Sequence, residues 1–202
     1  MNRLVEQSVE YLKKHYGNTM ESWEKDTSDY PELDGSCCIA VVNLARLVDA
    51  PVLLPPALLA CCGLGASVVD GYEREDGTRE YLSPEDLGRC FDARAKIVQE
   101  SMKIALLVLA PEASSGCRTR RTLCERAMSK TLAALHGSVS ELGCFNLFAP
   151  FEYERMGLAG AVCEACFAIV KERDLKERKA LWKALPSLFN VTVEGWDING
   201  VP

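Results

Sequence analysis

Four residues, Ser83-Pro84-Glu85-Asp86, constrain this chain more than any other stretch. A serine hydroxyl can accept hydrogen bonds from the free amides of a first helical turn. Proline at the first helical position loses no bond, and two acids face the positive end of the helix dipole. Phe91, Ala95, Val98, Met102, Ala105 and Leu109 follow at alternating steps of four and three, and Pro111 ends the run. The spacing predicts one long helix over about 84–109, with those six side chains turned inward.

The same logic marks further helices. Leu4, Val5, Val9 and Leu12 recur at helical spacing, and Gly17-Asn18 supplies a stop through a left-handed conformation. Residues 24–35 are polar, with Pro31 and Gly35, and read as a loop. Ser36 is placed to cap a helix carrying Cys38, Val41, Val42, Ala45 and Leu47 inward, which Pro51 breaks. Pro55-Pro56 opens an almost wholly apolar helix that runs to Gly63 and belongs at the centre of a core. Residues 65–80 read as a loop. Over 122–135 a helix would bury Leu123, Ala127, Leu132 and Leu135, and Gly137 would close it. Residues 138–154 admit helix or irregular structure. In 158–184 a helix carries Val162, Cys166 and Ile169 or Val170, followed by the charged run 171–179. Its acid-before-base pairs Glu172–Lys176 and Asp174–Arg178 are each worth only about 0.2–0.5 kcal/mol, so the run reads as a solvated face. Trp182, Leu185, Leu188 and Phe189 form an apolar group around Pro186, and residues 191–202 read as a frayed tail or a single edge strand. Strand-like alternation is scarce. The expected fold is mainly α, an irregular bundle of about six to eight helices around the long one.

Charge narrows the possible partners. With a net charge of −6 and a pI near 5.1, no global positive field draws in nucleic acid or anionic lipid. The local run Arg118-Thr-Arg-Arg121 has no interleaved aromatics and reads as a solvated helix face. The first 16 residues lack the apolar core of a signal peptide, and the most apolar stretch, 52–64, is shorter than the ~20 residues of a spanning helix. Neither export nor a membrane segment is expected. The setting is therefore intracellular, cytoplasmic or nuclear, where the ten cysteines stay reduced.

Chemistry is sparse. The two histidines, His15 and His136, lie in no catalytic signature, and there is no phosphate loop, GxSxG elbow or HExxH. Gly63-Leu-Gly65 reads as a helix end rather than a nucleotide fingerprint. No catalytic or organic-cofactor residue is assigned, and the chain is not expected to be an enzyme. Cys163-Glu-Ala-Cys166 does place two sulfurs on one side of a helix start. With Cys117 and Cys124 it makes C-x6-C…C-x2-C, a set suited to a closed structural zinc site. Seven residues along one helix rise about 10.5 Å, too far for two ligands of one ion. The set works only if Cys117, after Ser114-Ser-Gly116, lies in a loop that folds back. Cys144 or His136 could substitute. Two alternatives stay open: buried thiols packing as small apolar groups, and a Cys163/Cys166 redox pair without the usual βαβ surroundings. Cys37-Cys38 and Cys61-Cys62 read as core packing.

Several motifs also occur in a recognisable order. They are residues 38–47 (CIAVVNLARL), residues 50–58 (APVLLPPAL), Cys61-Cys62, the Leu-Ser-Pro-Glu-Asp-Leu of residues 82–87, the CxxC at Cys163/Cys166, and Trp182, Leu185, Pro186 and Phe189. In this order they resemble the region that follows the BTB/POZ fold in fungal BTB-domain proteins, over about residues 1–190. The resemblance implies a remnant of the last BTB helices in 1–22, a helical post-BTB domain in 23–190 and a tail in 191–202. Most of the BTB fold itself has no counterpart here, so BTB dimerisation and cullin docking do not carry over. The function it implies is a non-enzymatic protein-interaction or scaffold module. Trp182, Leu185, Leu188 and Phe189 would either meet a protein partner or pack on the body of the domain. A zinc-stabilised structural domain is the alternative, and a thiol oxidoreductase using Cys163 and Cys166 is a second.

Overall fold

Ser83 opens a long helix, as the sequence predicts. In the computed structural model, which describes residues 3–26, 35–135, 148 and 157–196, helix α5 spans Pro84–Val108. The Ser83 hydroxyl accepts the Asp86 amide at 3.1 Å and donates to the Asp86 carboxylate at 3.3 Å. The cap thereby draws an acid inward at the helix start. Asp86 is buried, and Arg46 meets it with a two-pronged grip, Nη2 at 2.6 Å and Nε at 3.1 Å. Arg89 adds a bond at 2.9 Å. Burial would push this carboxyl up, but the bonds and charge of Arg46, then those of Arg89, hold it below its ordinary 3.8.

Among the described residues the chain is mainly α, as expected. The other helices are α1 (Arg3–His15), α2 (Met20–Asp26), α3 (Cys38–Leu47), α4 (Leu54–Gly63), α6 (Arg121–Ala134), α7 (Leu158–Ala161) and α8 (Glu164–Leu188). Short 3-10 turns cover Gly35–Cys37, Pro51–Leu53 and Gly65–Val69. The chain divides into two units, one of Met1–Lys96 with Trp182–Pro202, the other of Ile97–Leu181. Residues 22 and 23 both lie within α2.

In the first unit α3 and α4 form the core. Cys38, Ile39, Val41, Val42 and Ala45 face Leu53, Leu54, Ala57, Leu58 and Cys61, all buried. Helix α4 is buried almost all round, as its composition predicts. Each fully buried leucine here contributes roughly 1.5–3 kcal/mol. Leu47, expected inward, is 82% exposed. Ser36 lies within a 3-10 turn, and Cys37 holds the N-cap position without a side-chain cap bond. Gly17 is not left-handed; a Cβ there would lie 2.9 Å from the Lys13 carbonyl, so close approach requires the glycine. Residues 65–80, expected as loop, contain a 3-10 turn and a hairpin of β1 (Tyr72–Glu73) and β2 (Arg79–Glu80). Two residues per strand are too few for alternation to register in the sequence.

The apolar group at the end of α8 also belongs to this unit's core. Trp182, Leu185 and Phe189 are at most 1% exposed, and Leu188 is half-buried. Trp182, Leu185 and Phe189 thus pack on the body of this unit, one of the two placements the sequence allows. Trp182 Nε1 donates to the Asn18 carbonyl at 2.9 Å, and its ring stacks on Trp196 at 5.5 Å. Trp196 in turn donates to the Trp182 carbonyl at 3.0 Å. Residues 191–196 form no strand, and Trp196 is bonded to α8; the rest of the expected tail, residues 197–202, lies outside the described residues. The helix ends with Asn190 at φ 50°, where Asn190 N–H reaches Ser187 O and Val191 N–H reaches Pro186 O. That is a Schellman closure with asparagine in place of glycine.

Register is the main departure from the sequence reading. On α5 Ala105 and Leu109 are buried as expected, but Phe91, Val98 and Met102 are 52%, 39% and 49% exposed. The first unit buries Cys90 and Ala93 instead, and the second buries Ile97, Ile104 and Val108. On α6 Leu135 is buried as expected and Leu123 is exposed, while Cys124, Met128 and Thr131 take the inner face. The inner stripe sits one residue away, and a cysteine belongs to it each time. The run 171–179 is not wholly solvated either. Asp174 and Arg178 are buried and paired at 2.9 Å, and Arg178 also donates to the Phe148 carbonyl at 2.7 Å. Arg173 donates to Ala110 O and to Glu112. Residues 136–147 and 149–156, including His136 and Cys144, lie outside the described residues. No described helix is long and apolar enough to cross a membrane.

Trp182→Ala is expected to lower stability by about 3–5 kcal/mol in urea unfolding; a loss below about 1 kcal/mol contradicts a core role. Asp86→Asn is expected to cost about 1.5–3 kcal/mol at neutral pH. Because the folded pKa lies below the unfolded one, the carboxylate's contribution is complete above the unfolded value. It disappears as pH falls through the folded value. Wild type should therefore lose more stability than the variant between about pH 5 and pH 2, and parallel acid titrations of the two would refute this assignment.

Candidate metal centre

Within the second unit the chain leaves α5 and turns back on itself. The Cys117 amide donates to the Ser114 carbonyl at 3.0 Å, and Gly116 N–H reaches the Ser114 hydroxyl at 3.2 Å. Arg121 closes the loop from below, donating to the Ala113 carbonyl at 3.2 Å. The loop therefore carries Cys117 outside α6, while Cys124 sits in the first turns of that helix. This is the fold-back that a common site requires.

The second pair arises at another helix start. Val162 is extended (φ −120°, ψ 156°) after the single turn α7 and redirects the chain. Cys163 precedes α8, its carbonyl accepting the Phe167 amide at 2.9 Å, and Cys166 lies one turn on. Three-residue spacing brings both sulfurs to one side of the helix start.

The four sulfurs of Cys117, Cys124, Cys163 and Cys166 lie within 4.8 Å of one another. Cys117 is 3.8 Å from Cys124 and 3.7 Å from Cys163. A tetrahedral ion with metal–sulfur bonds of about 2.3 Å separates its sulfurs by about 3.8 Å. These separations fit a metal centre with four thiolate ligands. Cys124 and Cys166 are buried, and Cys117 and Cys163 are half-buried.

Polar groups surround the sulfurs. The Ser114 amide donates to Cys166 at 3.4 Å. The Thr119 hydroxyl lies 3.4 Å from Cys124 and 3.7 Å from Cys117. The Cys163 thiol is lowered to about 5, first by a bond with Thr119 and next by the Cys166 amide. Burial pushes Cys166 up to about 12. A bound dication would favour the thiolate at every position, whatever these separate tendencies. Thr119 and Ser114 are the members that residue reading missed. A threonine in a loop and a backbone amide carry no spacing signal of their own.

The structure thus brings together all four cysteines singled out in the sequence. Such a set can hold a metal ion, and four sulfurs leave no open coordination position for catalysis. Among the described residues the other buried thiols, Cys38, Cys61, Cys62 and Cys90, lie in the first unit. Cys38 and Cys61 lie 3.3 Å apart on α3 and α4, and Cys62 lies 3.5 Å from the Cys90 carbonyl. Cys38, Cys61 and Cys62 serve as the small apolar residues expected. Comparison with protein-family models, curated proteins and solved structures finds no match in any of the three.

Proposed function

We propose that this chain is a non-enzymatic helical module whose second unit is held by a structural zinc ion on Cys117, Cys124, Cys163 and Cys166. The single observation that supports it is the gathering of four sulfurs within 4.8 Å from a loop and two helix starts. Four thiolates favour zinc over hard cations. The ion would tie the loop carrying Cys117 to α6 and α8. Its thiolates require reducing surroundings, so an intracellular setting, cytoplasmic or nuclear, is part of the proposal. Protein purified under reducing conditions is expected to carry about one zinc per chain. Cys163→Ser should lose the metal and several kcal/mol of stability together. A metal-free chain with full helical content and an unchanged unfolding midpoint overturns this reading.

Protein interaction, the role implied by the resemblance to post-BTB regions, is the second part of the proposal. It draws support from α5, where Met102 and Leu106 are 49% and 56% exposed. Apolar side chains displayed along a helix suit a helical or grooved protein partner. Met102→Lys with Leu106→Lys is expected to leave stability within about 0.5 kcal/mol per substitution. The pair should abolish crosslinking of a native partner to peptides of α5. Unchanged crosslinking removes the surface from consideration.

A further inference from the structure

We propose that the outer edge of the cysteine group, Cys117 and Cys163, is a site of oxidation by hydroperoxides that closes to a Cys117–Cys163 disulfide and expels the bound metal. The metal-release half rests on the zinc reading; the crosslink itself does not. Geometry selects this pair. Their sulfurs are 3.7 Å apart and both residues are half-buried, whereas Cys124 and Cys166 are buried. A disulfide needs about 2.05 Å between sulfurs, so the two must approach by roughly 1.7 Å. Cys117 stands in a turn and Cys163 just before the first residue of α8, outside regular helix on both sides. Neither has to break a helix to move. Cys124 and Cys166 lie within α6 and α8.

The first unit provides the contrast. Cys38 and Cys61 are closer, at 3.3 Å, but both are 0% exposed on packed helices. If distance decided, they would oxidise first; if access decides, the outer edge does. An oxidant must touch sulfur before a second sulfur can displace it, so access governs the first step.

The chemistry balances without a further partner. The Cys163 sulfur attacks one oxygen of the hydroperoxide and the O–O bond breaks. An alcohol leaves (water, from hydrogen peroxide), taking a proton from solvent, and Cys163 becomes a sulfenic acid. The Cys117 thiolate then attacks that sulfur. The S–S bond forms, the S–O bond breaks, and hydroxide leaves to become water with a second solvent proton. Two thiolates have given two electrons to one peroxide. An ion left with Cys124 and Cys166 has two ligands instead of four and dissociates.

The test uses the full chain as purified, treated with hydrogen peroxide and followed by a chromogenic zinc chelator, by thiol counting and by mass mapping of crosslinked peptides. The expected result is loss of two thiols per chain, release of zinc at the same rate, and a first crosslink joining Cys117 to Cys163. Dithiothreitol should restore both thiols and zinc binding. Retention of zinc with all thiols intact under excess peroxide overturns the proposal, as does a first crosslink at Cys38–Cys61 or Cys163–Cys166. Should the purified chain hold no zinc, the structural-zinc reading fails alone, and the crosslink map still decides this one.

Discussion

The turn at residues 114–117 is the constraint on which the cysteine group depends. Seven positions separate Cys117 from Cys124, and in continuous helix their sulfurs would stand about 10.5 Å apart along the axis. The Cys117 amide bonded to Ser114 O reverses the chain first, and the separation falls to 3.8 Å. Everything proposed for the site follows from that reversal. Without it the group would lose the Cys117 sulfur and keep three. Arg121 and Ser114 hold the loop from either side, the first through the Ala113 carbonyl and the second through its amide to Cys166.

Buried charge has an equally specific part in each unit. Asp86 receives two prongs from Arg46 and one from Arg89, and Asp174 is paired with an Arg178 that also reaches a backbone carbonyl. Taking a carboxylate such as Asp86 or Asp174 out of water costs several kcal/mol, and the hydrogen bonds from these arginines offset it. The gain from such pairs lies in position as much as in energy. Arg46 fixes α3 against the start of α5, because few other placements satisfy a carboxylate with so many donors.

Oxidation and metal binding would compete for the same sulfurs at the outer edge of the group, while the first unit buries Cys38, Cys61, Cys62 and Cys90. The described cysteines thus divide by surroundings rather than by sequence spacing. Cys38, Cys61 and Cys62 pack as small apolar groups between helices. Cys117 and Cys163 meet solvent in part, and Cys124 and Cys166 back them from within.

The sequence by itself determined that the chain is helical, where its best-capped helix begins, and that Cys163 and Cys166 share one side of a helix start. Those features are local: a cap hydroxyl, a proline at the first position, a three-residue spacing. Tertiary structure alone decided which face of each helix turned inward. On α5 two stripes one residue apart, beginning at Phe91 and at Cys90, both satisfy the 3.6-residue period. Neighbouring helices chose the second from Cys90 to Ile104, and beyond it Ala105 and Leu109 of the first are buried as well. The burial of Asp174 and Arg178 was not legible in the sequence either. A charge reads as solvated until the carbonyl or carboxylate that satisfies it is in place, and the Phe148 carbonyl comes from 30 residues away. Trp182, too, could have faced out or in; Asn18, brought from the other end of the chain to accept its indole N–H, settled it.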